Sequence, residues 1–385
     1  MVSAVRSGQS LRFTARQFGV STSTVKLWLE RAQDKPLDLV NWEDESHSPF
    51  LIPNKTTQAL EERILQARQW LTDVSDLGEF GAGAIRALLQ EQGEPKVPSV
   101  ATINRILAKQ GIFDRRKRTR RKPPVPGWYL PEVAARNADI DETDFVEGLY
   151  LEADPSEYFV LNILSLHGSL CASRLTTKAT SDFVMESLLS HWRTHGLPAY
   201  VQFDNGLAFT GPRQYPDVIG RVIRLCLSLG VTPVFAVPRE FGIQSAIESY
   251  NNRWQQKVWK RQIFADFEDA KKGSERYVLA VQRKHRQRQE SAPFRRPFPE
   301  GWEAPTMLPR KGKIVFLRRT NQHGEVMLLG HTTIVAPHWC NRLVRCEVDL
   351  AHDSVCVYGL RRIEPEKQQL LKEWKYRMPE SDKKT

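Results

Sequence analysis

Residues 200–206, Tyr200-Val201-Gln202-Phe203-Asp204-Asn205-Gly206, read as a short apolar strand that ends on a carboxylate and turns at once. A carboxylate at a strand end is placed for a metal ion, and the glycine permits the tight turn. An oxygen ligand suits Mg2+ or Mn2+ better than zinc. Taken alone, Asp-Asn-Gly is only a turn signal. Its surroundings give it weight. Residues 158–164 and 169–175 read as strands, 180–195 as a helix, and 225–235 as a helix end, a glycine turn and another strand. Strands alternating with helices predict an α/β core over residues 138–292. Asp144, in Asp141-Glu142-Thr143-Asp144-Phe145-Val146-Glu147, supplies a second acidic group at an element end. Past a loop through Pro238-Arg239-Glu240, a helix starts near Gln244 and carries Glu248. Gln244 and Glu248 are four apart and share a face, while Ile247, Tyr250 and Trp254 form an adjacent apolar stripe. A carboxylate on that helix could complete a metal site.

Ahead of the core the chain reads as helical. In residues 10–32, apolar groups recur at helical spacing on either side of Gly19, and Ser21 or Thr22 can cap the second helix. Together these predict a helix-turn-helix in residues 1–50. In such a unit the second helix presents Ser21, Thr22, Thr24 and Lys26 to base edges, while Arg12, Arg16 and Arg31 meet phosphates. A plain helical hairpin is the competing reading. Residues 33–56, with Pro36, Pro49 and Pro53, read as a linker. A second helix-turn-helix is expected over 55–114, with apolar periodicity at Leu60, Ile64, Leu65 and either Ala67 or Trp70. Its reading helix, capped by Ser99, offers Thr102, Asn104, Arg105 and Lys109. The run Arg115-Arg116-Lys117-Arg118-Thr119-Arg120-Arg121-Lys122 then leads into Pro123-Pro124-Val125-Pro126, a basic extended linker over 115–137 suited to gripping a polyanion.

Whole-chain composition agrees. The 385 residues exceed one small module, and 41% hydrophobic with 26% charged residues excludes a wholly disordered chain. Fifty-six Lys and Arg against 45 Asp and Glu leave a net charge of +11, which favours polyanionic partners. No run is apolar enough for a membrane span, and the start lacks a secretory core, so a cytoplasmic, nucleoid-associated protein with no membrane partner is expected. Five scattered cysteines without a C-x-x-C pair argue against a disulfide framework. Near the end, Arg283-Lys284-His285-Arg286-Gln287-Arg288 is a second basic cluster, on a helix. Short apolar runs over 312–362 suit a small β-barrel, assigned to 305–363, with a charged tail over 364–385 read as a frayed helix.

The order Asp144, then Asp204-Asn205-Gly206 with Phe209, then Gln244-x-x-x-Glu248 resembles the DDE transposases of the retroviral-integrase superfamily, especially the bacterial insertion-sequence type. The resemblance covers most of the chain. It implies a multidomain protein: N-terminal all-α helix-turn-helix domains, an α/β ribonuclease-H-like catalytic core and a C-terminal small β-barrel. It also implies Asp144, Asp204 and Glu248 as both catalytic triad and metal ligands, with Asp139 and Asp141 competing for the first place. Gln244, Asn251 and Arg253 would orient DNA, with His167 a weaker candidate. The interval between Asp204 and Glu248 is longer than usual in the superfamily, and residues 211–217 supply an insertion of that kind.

The implied chemistry needs two Mg2+ ions per site, with Mn2+ substituting, one activating the attacking water or 3′-hydroxyl and the other stabilising the leaving oxygen. The implied function is a transposase that binds terminal inverted repeats, cleaves at 3′ ends and joins them to target DNA. Synapsis of two ends implies a homo-oligomer on double-stranded DNA. The alternatives are an integrase-like DNA-binding regulator that has lost catalysis and, less favoured, a structural or RNA-binding protein.

Overall fold

The computed structural model describes residues 1–43, 56–112, 125–152, 154–211, 216–238, 240, 242–304, 311–362 and 364–378. Two units separate, Met1–Gln58 and Ala59–Thr385. In the first, α1 (Val2–Arg6), α2 (Leu11–Gln17) and α3 (Thr22–Ala32) precede a short 3-10 turn at Leu37–Leu39. Ser10 and Ser21 cap α2 and α3 by accepting the amides of Phe13 and Thr24. Gly19, with φ +64°, makes the bend between them. Val2, Ala32 and Val40 form a small core with Trp28, Leu29 and Leu37.

The second unit opens with α4 (Gln58–Val74), α5 (Ala82–Glu91) and α6 (Val100–Lys109), packed through Ile64, Leu71, Ile85, Leu89, Ile103 and Leu107. Ala67 takes the buried position left open between it and Trp70, whose indole is half exposed. Ser99 caps α6 through the Thr102 amide at 3.2 Å.

After α7 (Pro131–Ala134) come β1 (Ile140–Leu151), β2 (Asp154–Ser165), β3 (Cys171–Thr176), α8 (Ser181–His195), β4 (Tyr200–Phe203) and α9 (Leu207–Thr210). Next are α10 (Arg221–Ser228), β5 (Thr232–Phe235), α11 (Ser245–Trp254), a π turn at Gln255–Trp259, α12 (Phe267–Lys284) and α13 (Arg286–Glu290). Strands β1, β2 and β3 pair antiparallel; β4 and β5 join β1 in parallel. The result is a mixed α/β unit around a large mixed sheet, consistent with a ribonuclease-H-like core. Period-two alternation along β1 sends Asp141 and Phe145 to the α8 face and Glu142, Asp144 and Val146 to the α11 face. The α11 stripe of Ile247, Tyr250 and Trp254 is buried against Val146, Val160 and Leu164.

The C-terminal strands are β6 (Lys313–Arg319), β7 (Glu325–Leu328), β8 (His331–Ile334), β9 (Leu343–Asp349), β10 (Ser354–Gly359) and β11 (Leu370–Lys375). Two expectations fail here. Among the described residues these strands do not close into a separate barrel. β6 pairs in parallel with β5, at Val234↔Val315 and Phe235↔Phe316, and β9, β10 and β11 follow antiparallel to give one nine-stranded sheet. Only β7 and β8 stand apart, as a hairpin. The cause is packing: Phe316 stacks on Phe235 at 5.3 Å, and Val344, Val348 and Val357 continue the core of the α8 face. Residues 370–375 are a strand rather than a helix, because Leu371 and Trp374 pack on that same core while charged neighbours stay outside.

Candidate active site

Asp144 and Asp204 meet because their strands are neighbours. The parallel register pairs Glu142 with Gln202, and each aspartate lies two residues further along. Asp204 Oδ1 accepts the Gly206 amide at 2.8 Å, and Asn205 Nδ2 donates to Ala236 O at 2.6 Å, so the Asp-Asn-Gly turn is fastened from both sides. Phe209 anchors α9 behind that turn, stacked on Phe203 at 4.9 Å and 5.6 Å from Phe145. Glu248 stands exposed in the first turn of α11, whose N-cap is Gln244.

The charges respond to this placement. Burial, then the carboxylates of Asp204 and Glu248, push the Asp144 carboxyl up to about 7, against hydrogen bonds from the Phe145 amide and Asn251. Glu142 is fully buried, and that burial, with Glu248 and Asp144 nearby, raises it to about 8 despite the Ile247 amide donating to its Oε2 at 2.8 Å. Three carboxylates that raise proton affinity at their centre, all oxygen donors, are a set suited to a hard divalent cation. As placed they do not converge to ligand distance, and among the described residues no three His, Cys, Asp or Glu side chains do.

The three competing aspartates have different surroundings. Arg295 donates to Asp139 Oδ2 at 3.2 Å, to Asp141 Oδ1 at 2.8 Å and to Asp141 Oδ2 at 2.8 Å. Ser165 Oγ donates to Asp139 and Trp192 Nε1 to Asp141. Burial alone would raise Asp141, but the Arg295 charge and hydrogen bonds outweigh it and hold the carboxyl below its ordinary range. Both carboxylates are enclosed and engaged, which leaves Asp144 as the aspartate of this strand that faces Asp204 and Glu248.

Other expected groups divide. Asn251 is buried and not aimed at a ligand: its Nδ2 donates to Asp144 Oδ2 at 2.8 Å and its Oδ1 accepts from Asn162 at 2.7 Å. Both ends of its amide are thus engaged within the protein, where it orients Asp144. Gln244 Nε2 is buried without a hydrogen-bond partner. Arg253 is exposed, its guanidinium 5.9 Å from the Tyr250 ring centre. His167 is enclosed and bonded to Val133 O at 2.8 Å, away from the carboxylates, so it is structural. Residues 212–215 of the expected insertion lie outside the described residues.

Of the expected DNA readers, Ser21 caps its helix and shares its hydroxyl with Thr24 at 2.8 Å; Thr22 is exposed beside it. Lys26 sits 3.7 Å from Glu30, and Lys109 lies 3.5 Å from Glu61. Thr102 bonds the Ser99 hydroxyl, while Asn104 and Arg105 are exposed on α6. Arg115, Arg116, Lys117, Arg118, Arg120 and Arg121 lie outside the described residues.

Three groups escape the sequence reading. Glu142 shares a strand face with Asp144 and could have been found from that alternation. Arg295 and the Arg319–Glu240–Arg362 cluster carry no local signal, since each joins residues far apart in sequence. In that cluster both guanidinium groups, one from β6 and one from just beyond β10, hold Glu240 of the loop that leads into α11.

No family model matches the chain. Among solved structures it is similar to the catalytic core domain of BIV integrase, at 16% identity and TM-score 0.27, covering 37% of this chain and 80% of that one. A simian T-cell lymphotropic virus intasome aligns over 70% of this chain and 87% of its own, at 15% identity and TM-score 0.33. The HTLV-2 integrase catalytic core in complex with magnesium aligns at 14% identity and TM-score 0.28, over 38% and 82% respectively. At these scores the assignment of the core rests on its own sheet order and register.

Proposed function

We propose that the chain is a DNA transposase, a DDE-type polynucleotidyl transferase that cleaves 3′ ends of a mobile element and joins them to target DNA. The observation that carries this is that adjacent parallel strands bring Asp144 beside Asp204, with Glu248 of α11 near enough that burial first, then these two carboxylates, raise Asp144 to about 7. Asp144, Asp204 and Glu248 are the residues that would hold divalent ions. Such ions, when bound, supply activation of the attacking hydroxyl and stabilisation of the leaving oxygen.

The chain's own groups do the positioning. Asn251 fixes which Asp144 oxygen faces outward, the Gly206 amide holds one Asp204 oxygen, and the Glu240 contacts steady the loop before α11. Binding of terminal repeats falls to α3 through Thr22, Thr24 and Lys26, and to α6 through Asn104, Arg105 and Lys109. Joining two ends calls for a homo-oligomer on double-stranded DNA. Among the described residues no helix is long and apolar enough to cross a membrane.

One observation favours the second reading, a DNA-binding regulator without catalysis: the three carboxyls do not converge in the structure. The deciding experiment is 3′-end cleavage and strand transfer on labelled duplex carrying the flanking repeats, in Mg2+ or Mn2+ and in EDTA, with wild type beside Glu248→Gln. Metal-dependent cleavage that Glu248→Gln abolishes supports the transposase. Tight repeat binding with no cleavage in either ion establishes the regulator.

A further inference from the structure

Beside α11, on the face that carries Ser245 and Ser249, lies a cavity of about 380 Å3, within the ~300–1,000 Å3 of small-molecule sites. Its wall from α11 carries Ser245, Ser249 and Arg253, at helical spacing i, i+4, i+8. The π turn adds Lys257, and the end of α12 with α13 adds Lys284, His285 and Arg288. Apolar surface from Trp128, Leu164, Tyr250 and Val281 forms the remainder.

The charges are unbalanced. The lining carboxylates are Glu79 and Glu142. Glu79 is taken by Lys284 at 2.6 Å, and Glu142 lies at the floor, accepting the Ile247 amide. Arg253, Lys257 and Arg288 bond only carbonyl oxygens, those of Ser249, Gly78, and Leu166 with His167. Burial and then the same positive groups, Lys284, Arg288 and Arg253, lower the His285 imidazole below its ordinary range, which leaves the ring a neutral hydrogen-bonding group beside them. A concave wall with excess positive charge concentrates anions, and the neighbouring apolar surface selects one that carries a flat, poorly hydrated group.

We propose that this cavity binds a nucleotide unit, its phosphate against Arg253 and His285 and its base on the wall of Leu164 and Val281. A free nucleotide and the unpaired terminal nucleotide of a DNA strand share that chemistry. Only the second source rests on the transposase reading: a strand leaving Glu248 would pass Ser249 and Arg253 on the next face of the same helix.

The test uses the full chain and three probes by titration calorimetry: dAMP, deoxyadenosine and inorganic phosphate. A duplex with a 2-aminopurine 5′ overhang and its blunt counterpart separate the two sources by fluorescence. The variants are Ser249→Trp, which fills space beside Arg253, and His285→Glu, which puts a carboxylate where the phosphate would sit; Ser249 is exposed on α11, His285 stands at the junction of α12 and α13, and neither belongs to the buried apolar core. The expected result is dAMP binding that both deoxyadenosine and each variant weaken by about tenfold or more, the scale of one lost charge-assisted contact. Phosphate should compete. Tighter binding of the overhang than of the blunt duplex, lost in the variants, assigns the site to a DNA strand; equal binding of the two assigns it to the free nucleotide. If wild type binds neither dAMP nor overhang, or both folded variants bind as wild type does, the proposal is overturned. Binding that survives while metal-dependent cleavage is absent keeps this site and removes the transposase reading instead.

Discussion

Neutralising two aspartates three residues apart on β1 should move stability in opposite directions. Asp141 is fully buried with Arg295 donating to both its oxygens at 2.8 Å and Trp192 adding a third bond at 2.9 Å. Asp141→Asn leaves the Arg295 charge short of its main partner, and breaking a buried pair costs about 3–5 kcal/mol. Asp144 is the reverse case, a carboxyl raised to about 7 chiefly by burial and then by Asp204 and Glu248. Against an ordinary carboxyl near 4, that is about three pH units at ~1.4 kcal/mol each, an upper bound of about 4 kcal/mol on the cost of ionising it. Solvent and backbone rearrangement around a partly exposed group bring the expected gain from Asp144→Asn at pH 8 to about 1–2 kcal/mol.

The pH dependence fixes the sign. A folded-state pKa above the unfolded one means that the folded chain keeps a proton the unfolded chain has released, so the Asp144 contribution to stability falls as pH rises from about 4 to about 7 and is flat beyond. The advantage of Asp144→Asn is therefore absent near pH 4, grows across that window and reaches its plateau above pH 7. The assay is urea unfolding followed by tryptophan fluorescence in EDTA at pH 5, 6, 7 and 8, read as midpoints at constant slope. Adding Mg2+ should raise the wild-type midpoint and leave Asp144→Asn nearly unmoved, since a ligand stabilises only the state that binds it. If Asp144→Asn is destabilised like Asp141→Asn, or its gain does not depend on pH, the assignment of Asp144 to the open carboxylate cluster is wrong.

Other substitutions probe the supports of the site. Arg295→Met should cost about 3–5 kcal/mol, because it strands Asp139 and Asp141 together, and should lower the urea midpoint at pH 7; a loss under about 1 kcal/mol would contradict the ion-pair account. Asn251→Leu removes the group that orients Asp144, and orienting partners of ligand carboxylates are worth about 10–100-fold in activity or metal affinity, so cleavage should need more Mg2+ while α11 stays folded by circular dichroism. Glu240→Ala should cost under about 1 kcal/mol, as its arginine partners are half exposed, yet slow metal-dependent cleavage several-fold; unchanged cleavage would show that the loop needs no such tether. Arg105→Ala should weaken binding to repeat-bearing duplex and reduce the salt slope by about one if it meets a phosphate, whereas an unchanged slope with lost sequence preference would place it on a base.

Much of this architecture was legible because it is encoded locally. Ser10, Ser21 and Ser99 cap the helices they precede, Gly19 turns between α2 and α3, and Ile247, Tyr250 and Trp254 bury the stripe their spacing predicts. The order of Asp144, Asp204 and Glu248 was readable from local pattern too, although Asp144, expected at an element end, stands inside β1 rather than at its edge, while Asp204 follows β4 and Glu248 sits in the first turn of α11. What could not be read was pairing between distant segments. The alternation of Lys313–Arg319 describes a barrel strand and a sheet-extending strand equally well, and only the stacking of Phe316 on Phe235 decides. Likewise the acidic run 139–144 gives three aspartates of similar promise until Arg295, more than 150 residues away in sequence, takes two of them.

The extension of the sheet changes what the C-terminal strands can do. A tethered barrel would act on the core only through a linker, whereas β6, hydrogen-bonded to β5, moves with it as one surface. Because β5 leads towards Glu240, and because Arg319 and Arg362 reach back to Glu240 from β6 and from just beyond β10, the chain before α11 is held by the sheet at β5 and by two guanidinium groups at Glu240. Glu248 lies only eight residues after Glu240, so a shift of this tether would be felt at the carboxylate. The same geometry explains why Asp144 and Asp204 are fastened by bonds from Asn251 and the Gly206 amide while Glu248 is exposed: two of the carboxylates stand in or just beyond sheet strands, and the third sits in the first turn of α11, after the tethered loop. On the proposed reading, an oxygen-seeking cation that relieved the repulsion at Asp144 would favour closer approach of the three carboxyls, and Glu248, the exposed one, has the most freedom to move.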